Sequence, residues 1–214
     1  MKIILTACGL LLGLVYVRNI EAETILYQFR GTVTSVPAGY DSTISSGDAV
    51  VGQFSFDSTA ADTLPGDHTT GNYIGSVIDW SAQFGDYNTA QHPNRILGDV
   101  IVQNNASPTV WTLDGDYFGV AALPTGAAIQ GVEPTLFSLQ LFDATGSAFS
   151  DIALPLSPPN LAAFSLREAW LVFDHGNTVK ASIDSMSIVP EPAASLFTCV
   201  IVIAVAGRRH IGLV

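Results

Sequence analysis

The sequence predicts an all-β domain, a single antiparallel β-sandwich with jelly-roll-like or immunoglobulin-like connections, held between two apolar terminal segments. Three observations predict it. Apolar and polar residues alternate with a period of two along most of residues 23–189. Clusters of Gly, Pro, Asn and Asp punctuate those runs, and hardly any segment between them has a helical period. No internal repeat is present, which argues against a propeller or a solenoid.

Taken in order, Ile25, Tyr27, Phe29 and Val33 alternate with Gln28, Arg30, Thr32 and Thr34, as in a half-buried strand. Gly52, Phe54 and Phe56 continue the pattern in a second strand. A third places Ile78, Trp80, Ala82 and Phe84 on one face and Asp79, Ser81 and Gln83 on the other. Further strands are expected over 96–103, 109–113 and 117–121, with Asp114-Gly115 as a tight hairpin before Asp116. Residues 136–142 follow, with Phe137, Leu139 and Leu141 on one face. Ser157-Pro158-Pro159-Asn160 then precedes a short helical turn within 161–168. The last two strands, 169–173 and 178–189, are joined through Asp174-His175-Gly176-Asn177; Val179, Ala181 and Ile183 point inward, Lys180, Ser182 and Asp184 outward.

The domain has no cysteine, because Cys8 and Cys199 lie in the terminal segments, so packing, sheet hydrogen bonds or a metal must hold it together. Residues 23–192 carry four basic against 18 acidic side chains, a net charge of −14. Such a surface repels nucleic acid and anionic lipid heads, which excludes DNA or RNA partners; divalent cations and neutral glycans suit it.

Chemistry-bearing patterns are few. Asp57, Asp62 and Asp67 recur every five residues in a loop that also holds His68. Hard oxygen ligands in a loop suit Ca²⁺, yet EF-hand spacing is lacking, and solvated turn aspartates are the alternative. Asp114-Gly115-Asp116 reads the same two ways, as a turn or a metal loop. No Gly-x-Ser-x-Gly elbow occurs, and His68, His92 and His175 stand in turn-like contexts without a zinc-ligand spacing. No catalytic residue is therefore assigned and no cofactor is expected, Ca²⁺ being the one candidate. Trp80 shares a face with Ile78 and Ala82 and reads as core. Trp111 and Trp170 read either as core or as amphipathic rings on which a sugar could stack.

At the N-terminus, Lys2 precedes an apolar stretch over 3–17, and Ile20-Glu21-Ala22 offers a small residue for cleavage, so 1–22 reads as a signal peptide with signal peptidase as its partner. Leu5-Thr6-Ala7-Cys8 fits a lipoprotein box in letter, but a cut before Cys8 leaves too short an apolar run for export. At the other end, Pro190-Glu191-Pro192 precedes 15 apolar residues, 193–207, and then Arg208-Arg209. As a helix this run reaches roughly 22 Å at ~1.5 Å per residue, short for a bilayer core of about 30 Å. The basic pair favours the cytoplasmic side and puts the preceding domain outside. A buried C-terminal helix of a soluble domain is the alternative.

These positions resemble exported bacterial proteins that carry a PEP-CTERM sorting segment, here residues 190–214 with Pro190, Glu191, Pro192, Arg208 and Arg209 as its motif. The tail 210–214 and Cys199 depart from that pattern. The resemblance implies an exosortase-type membrane enzyme as processing partner, anchoring in the inner membrane before processing, and release to the cell surface or an exopolysaccharide matrix. Phe29-Arg30-Gly31-Thr32-Val33 and the run 52–57, Gly-Gln-Phe-Ser-Phe-Asp, loosely resemble ectodomains common among such proteins, which implies no defined activity. Two functions are expected from this: a non-catalytic surface or matrix protein, or a carbohydrate-binding sandwich, Ca²⁺-dependent or not. A secreted hydrolase ranks below both.

Overall fold

The computed structural model describes residues 24–94, 98–107, 114–173 and 176–190. The signal peptide 1–22, the strand 109–113, Asp174-His175 and everything from Glu191 onward lie outside them, so the terminal helix is not described. Among the described residues no helix is long and apolar enough to cross a membrane.

The expected all-β, antiparallel character holds. The strands are β1 (Thr24–Ser35), β2 (Ala49–Asp57), β3 (Thr70–Tyr73), β4 (Val77–Phe84), β5 (Tyr87–Gln91), β6 (Gly98–Ala106), β7 (Gly115–Ala122), β8 (Pro124–Gly126), β9 (Pro134–Asp143), β10 (Leu166–Phe173) and β11 (Thr178–Ile188). They form one continuous ladder in the order β3-β6-β7-β9-β10-β11-β1-β2-β4-β5-β8. The described strands are thus not divided between two separate sheets; the curl of one sheet encloses the core. Trp80 on β4 and Phe137 on β9 stand five strands apart along the ladder, about 24 Å in a flat sheet at ~4.8 Å per strand. Their rings nevertheless stack with centroids 4.3 Å apart and planes at 13°. Phe54 of β2 and Phe118 of β7 meet likewise at 6.4 Å. Only a sheet rolled over on itself, with β10, β11 and β1 in the bend, brings these faces together.

Period-two alternation decides which side chains enter that core. Ile25, Tyr27, Phe29 and Val33 are buried from β1, Phe137, Leu139 and Leu141 from β9, and Val179, Ala181 and Ile183 from β11, as the pattern predicts. Gly31 holds the remaining inward position of β1, where the pairing with β11 slips by one residue. A Cβ there would overlap the Ser182 carbonyl, so only glycine lets the two backbones approach this closely.

The structure departs from expectation at several places. Ile78 is exposed, not buried with Trp80: β2 and β4 pair Ser55 with Asp79 but Phe56 with Val77, so a bulge turns Ile78 out and Val77 takes its place in the core. Asp114-Gly115 is not a tight hairpin, because Gly115 already pairs with Ala106 of β6. The helical turn shortens to a 3-10 turn, Leu161–Ala163, which Asn160 caps by accepting from the Ala162 N–H at 3.2 Å. β10 begins after two further residues, at Leu166.

Three tyrosine hydroxyls fasten loops across the core. Tyr27 donates to the Pro155 carbonyl at 2.7 Å, Tyr73 to Ile152 at 2.8 Å and Tyr87 to Ala127 at 2.8 Å. Burial raises the pKa of all three, that of Tyr87 to about 12 with Glu133 adding to the effect. They stay protonated donors at any ordinary pH.

Candidate functional site

The loop aspartates serve the turns they sit in. Asp57 accepts from the N–H and hydroxyl of Thr59 at 2.8 and 2.7 Å, and Asp67 does the same with Thr69, both at 2.8 Å. These hydrogen bonds hold both carboxyls below the usual range, the Thr59 hydroxyl leading for Asp57 and the Thr69 N–H for Asp67. Asp62 accepts from the N–H groups of Leu64 and Asn72, both at 2.9 Å, and so ties the loop to β3. Each carboxylate closes an Asx-type turn. Among the described residues no group of three or more His, Cys, Asp or Glu side chains is arranged to hold a metal ion. His68 is exposed, and His92 accepts from the Asn94 N–H at 3.2 Å.

Asp116 and Asp143, which the sequence did not single out as a pair, are cross-strand partners on β7 and β9 and are both buried. Asp116 accepts from the N–H groups of Asn105 (2.8 Å) and Phe149 (2.7 Å). Asp143 accepts from the N–H and hydroxyl groups of Thr145 and Ser147, and the Ser147 N–H leads in pulling its carboxyl down to about 2. Donors converging on both carboxylates satisfy the negative charge and leave little for a cation to bind. The pair therefore fastens the loop 144–149 to the end of the sheet.

Trp170 lies on the outer face of β10, half-buried, not in the core. Its indole N–H donates to Glu168 at 2.6 Å, and the Lys180 ammonium sits 4.5 Å from the ring centroid. One side of the ring is thus already engaged by a cation. Trp80 is fully buried, as expected of core. Trp111, Glu191, Pro192, Arg208 and Arg209 lie outside the described residues; Pro190 is described, exposed just beyond β11.

The feature that sequence reading missed is a groove of about 600 Å³ on the outer face of β1, β2, β4, β5 and β8. Gln28, Gln53, Ser81, Gln83, Asn88 and Thr125 line it, and none of its lining residues is charged. Register puts Gln28, Gln53, Ser81, Ala90 and Thr125 in one row across the five strands. Beside it, Arg30, Val51, Gln83 and Asn88 make a second row, with the exposed Arg30 at its end and outside the groove's lining. The polar sides of three expected strands were visible, but their assembly depends on β5 and β8, whose short polar sequences gave no strand signal.

Comparison with protein-family models, with curated proteins and with solved structures finds no match for this chain.

Proposed function

We propose that this chain is a non-catalytic exported protein of the cell surface or extracellular matrix. In this reading 1–22 directs export, the apolar run 193–207 tethers the chain in the inner membrane, and an exosortase-type enzyme processes the segment around Pro190-Glu191-Pro192. The observation that carries the reading is the order Pro-Glu-Pro, apolar run and Arg208-Arg209 beside an acidic β-domain. The engagement of Asp57, Asp62, Asp67, Asp116 and Asp143 in turn and loop hydrogen bonds supports a structural rather than a chemical use of those acids. We read the curled sheet as sandwich-like, its two halves facing each other as the layers of a sandwich do. Intact-mass analysis of extracellular material tests the delivery step: a species lacking both terminal segments is expected, and extracellular chain that retains Arg208 would refute it.

A carbohydrate-binding module is the second reading, and one observation favours it: the uncharged, amide-lined groove in a domain of otherwise negative charge. A Ca²⁺-dependent version has less support, because the loop aspartates already hold their own turns.

A further inference from the structure

Side-chain amides each offer a donor and an acceptor, and hydroxyls offer both from one atom. The groove sets three glutamines, one asparagine, a serine and a threonine across five adjacent strands, a span of roughly 19 Å at ~4.8 Å per strand. Among the described residues the side chains of Gln28, Gln53, Ser81 and Gln83 have no hydrogen-bond partner, and Asn88 makes only one bond, to the Asp86 carbonyl at 3.2 Å. Neighbouring strands hold these groups in rows and leave their polar ends free.

Charge narrows the ligand. The domain between residues 23 and 192 bears a net charge of −14, so an anion is repelled at long range even with Arg30 at the end of the second row. The lining supplies no carboxylate to pair with a cation and no oxygen cluster for a hard metal. An extended peptide is also a poor fit: the rows run across the strands, away from the unpaired backbone of a sheet edge, and lack apolar pockets for alternate side chains.

We propose that this groove binds a neutral glycan segment through edge-on hydrogen bonds from Gln28, Gln53, Gln83 and Asn88, independently of Trp170 and of Ca²⁺. This rests on the second reading above and assigns it a place. A polyhydroxylated chain lying across the strands meets a donor–acceptor group at each strand step.

The test uses the full chain in zwitterionic micelles, which carry no sugar headgroup, titrated with cellohexaose, laminarihexaose and mannohexaose. A Gly-Ser peptide of similar length serves as the peptide control. At least one neutral hexasaccharide is expected to bind, equally with EDTA or with Ca²⁺. The double variant Gln53→Ala/Gln83→Ala should weaken that binding about tenfold, the loss expected from two neutral hydrogen bonds. Its melting temperature should match the parent, and Trp170→Ala should bind as the parent does. Binding lost in Trp170→Ala but retained in the double variant would overturn the groove while leaving the glycan reading intact. Silence toward all three hexasaccharides, or binding of the peptide alone, would overturn both.

Discussion

Asp116 and Asp143 stand opposite each other on β7 and β9, buried side by side, and among the described residues each hydrogen bond that either carboxylate accepts comes from a backbone N–H or a hydroxyl. The loop 144–149 is folded around these two acids, and the Thr145 and Ser147 groups that it turns inward favour the ionised form of Asp143.

Acid should therefore cost the domain the stability that Asp143 contributes. Asp143 has a folded pKa of about 2, below the ~4 of an unconstrained aspartate. A depressed carboxyl contributes stability that is complete above the unfolded value and disappears as pH falls through the folded one. Urea midpoints measured from pH 7 to pH 2 should fall between about pH 4 and pH 2. In Asp143→Asn the midpoint should be lower at neutral pH and the decline shallower. An equally steep decline in the variant would remove Asp143 as its source.

The stacking of Trp80 on Phe137 joins strands that are remote along the ladder. Phe137→Ala should cost about 3–5 kcal/mol, the usual cost of deleting a buried aromatic ring. Far-ultraviolet dichroism and Trp fluorescence should still report one coincident unfolding transition. Two separated transitions would mean that the halves of the sheet are stabilised independently.

Gly31→Ala places a methyl against the Ser182 carbonyl. The β1–β11 pairing must shift to admit it, and overpacking against backbone costs about 1–3 kcal/mol. A melting temperature equal to the parent's would show that the bulge absorbs the methyl freely.

Lys180→Ala uncovers one side of the Trp170 ring. Loss of an exposed cation–π contact should lower stability by only about 0.5–1 kcal/mol. Acrylamide quenching of Trp emission should rise more visibly than the stability falls. Unaltered quenching would indicate that the ring is shielded by other groups.

For the delivery reading, replacing Arg208 and Arg209 together by glutamate removes the positive-inside signal. Protease accessibility in spheroplasts should then report a domain that fails to reach its exported orientation. Unchanged topology would count against the role of the pair.

The core was legible because alternation is a strong signal wherever one face of a strand is buried: Phe29, Phe137, Leu139, Val179 and Ala181 all point where their spacing predicts. Ile78 was misread because a bulge breaks the period, and a bulge leaves no mark in an apolar Val77-Ile78 pair. The strands β3, β5 and β8 were invisible for another reason. Thr-Gly-Asn-Tyr and Pro-Thr-Gly, like the polar run from Tyr87 to Gln91, pair through backbone rather than through an apolar stripe. The groove was hidden with them, since the residues at one end of its rows, Asn88, Ala90 and Thr125, belong to strands that the sequence does not announce. The turn roles of Asp57 and Asp67 could be anticipated, because each is followed two residues later by a threonine.

The ladder ends in stubs. Among the described strands its two rims are β3, four residues long, and β8, three residues long with a proline at its head. Unpaired rims are where one copy of a β-protein zips onto the next, and brevity and proline both blunt that hazard. Crowded copies of this domain are therefore offered little border at β3 or β8 from which to template fibrils.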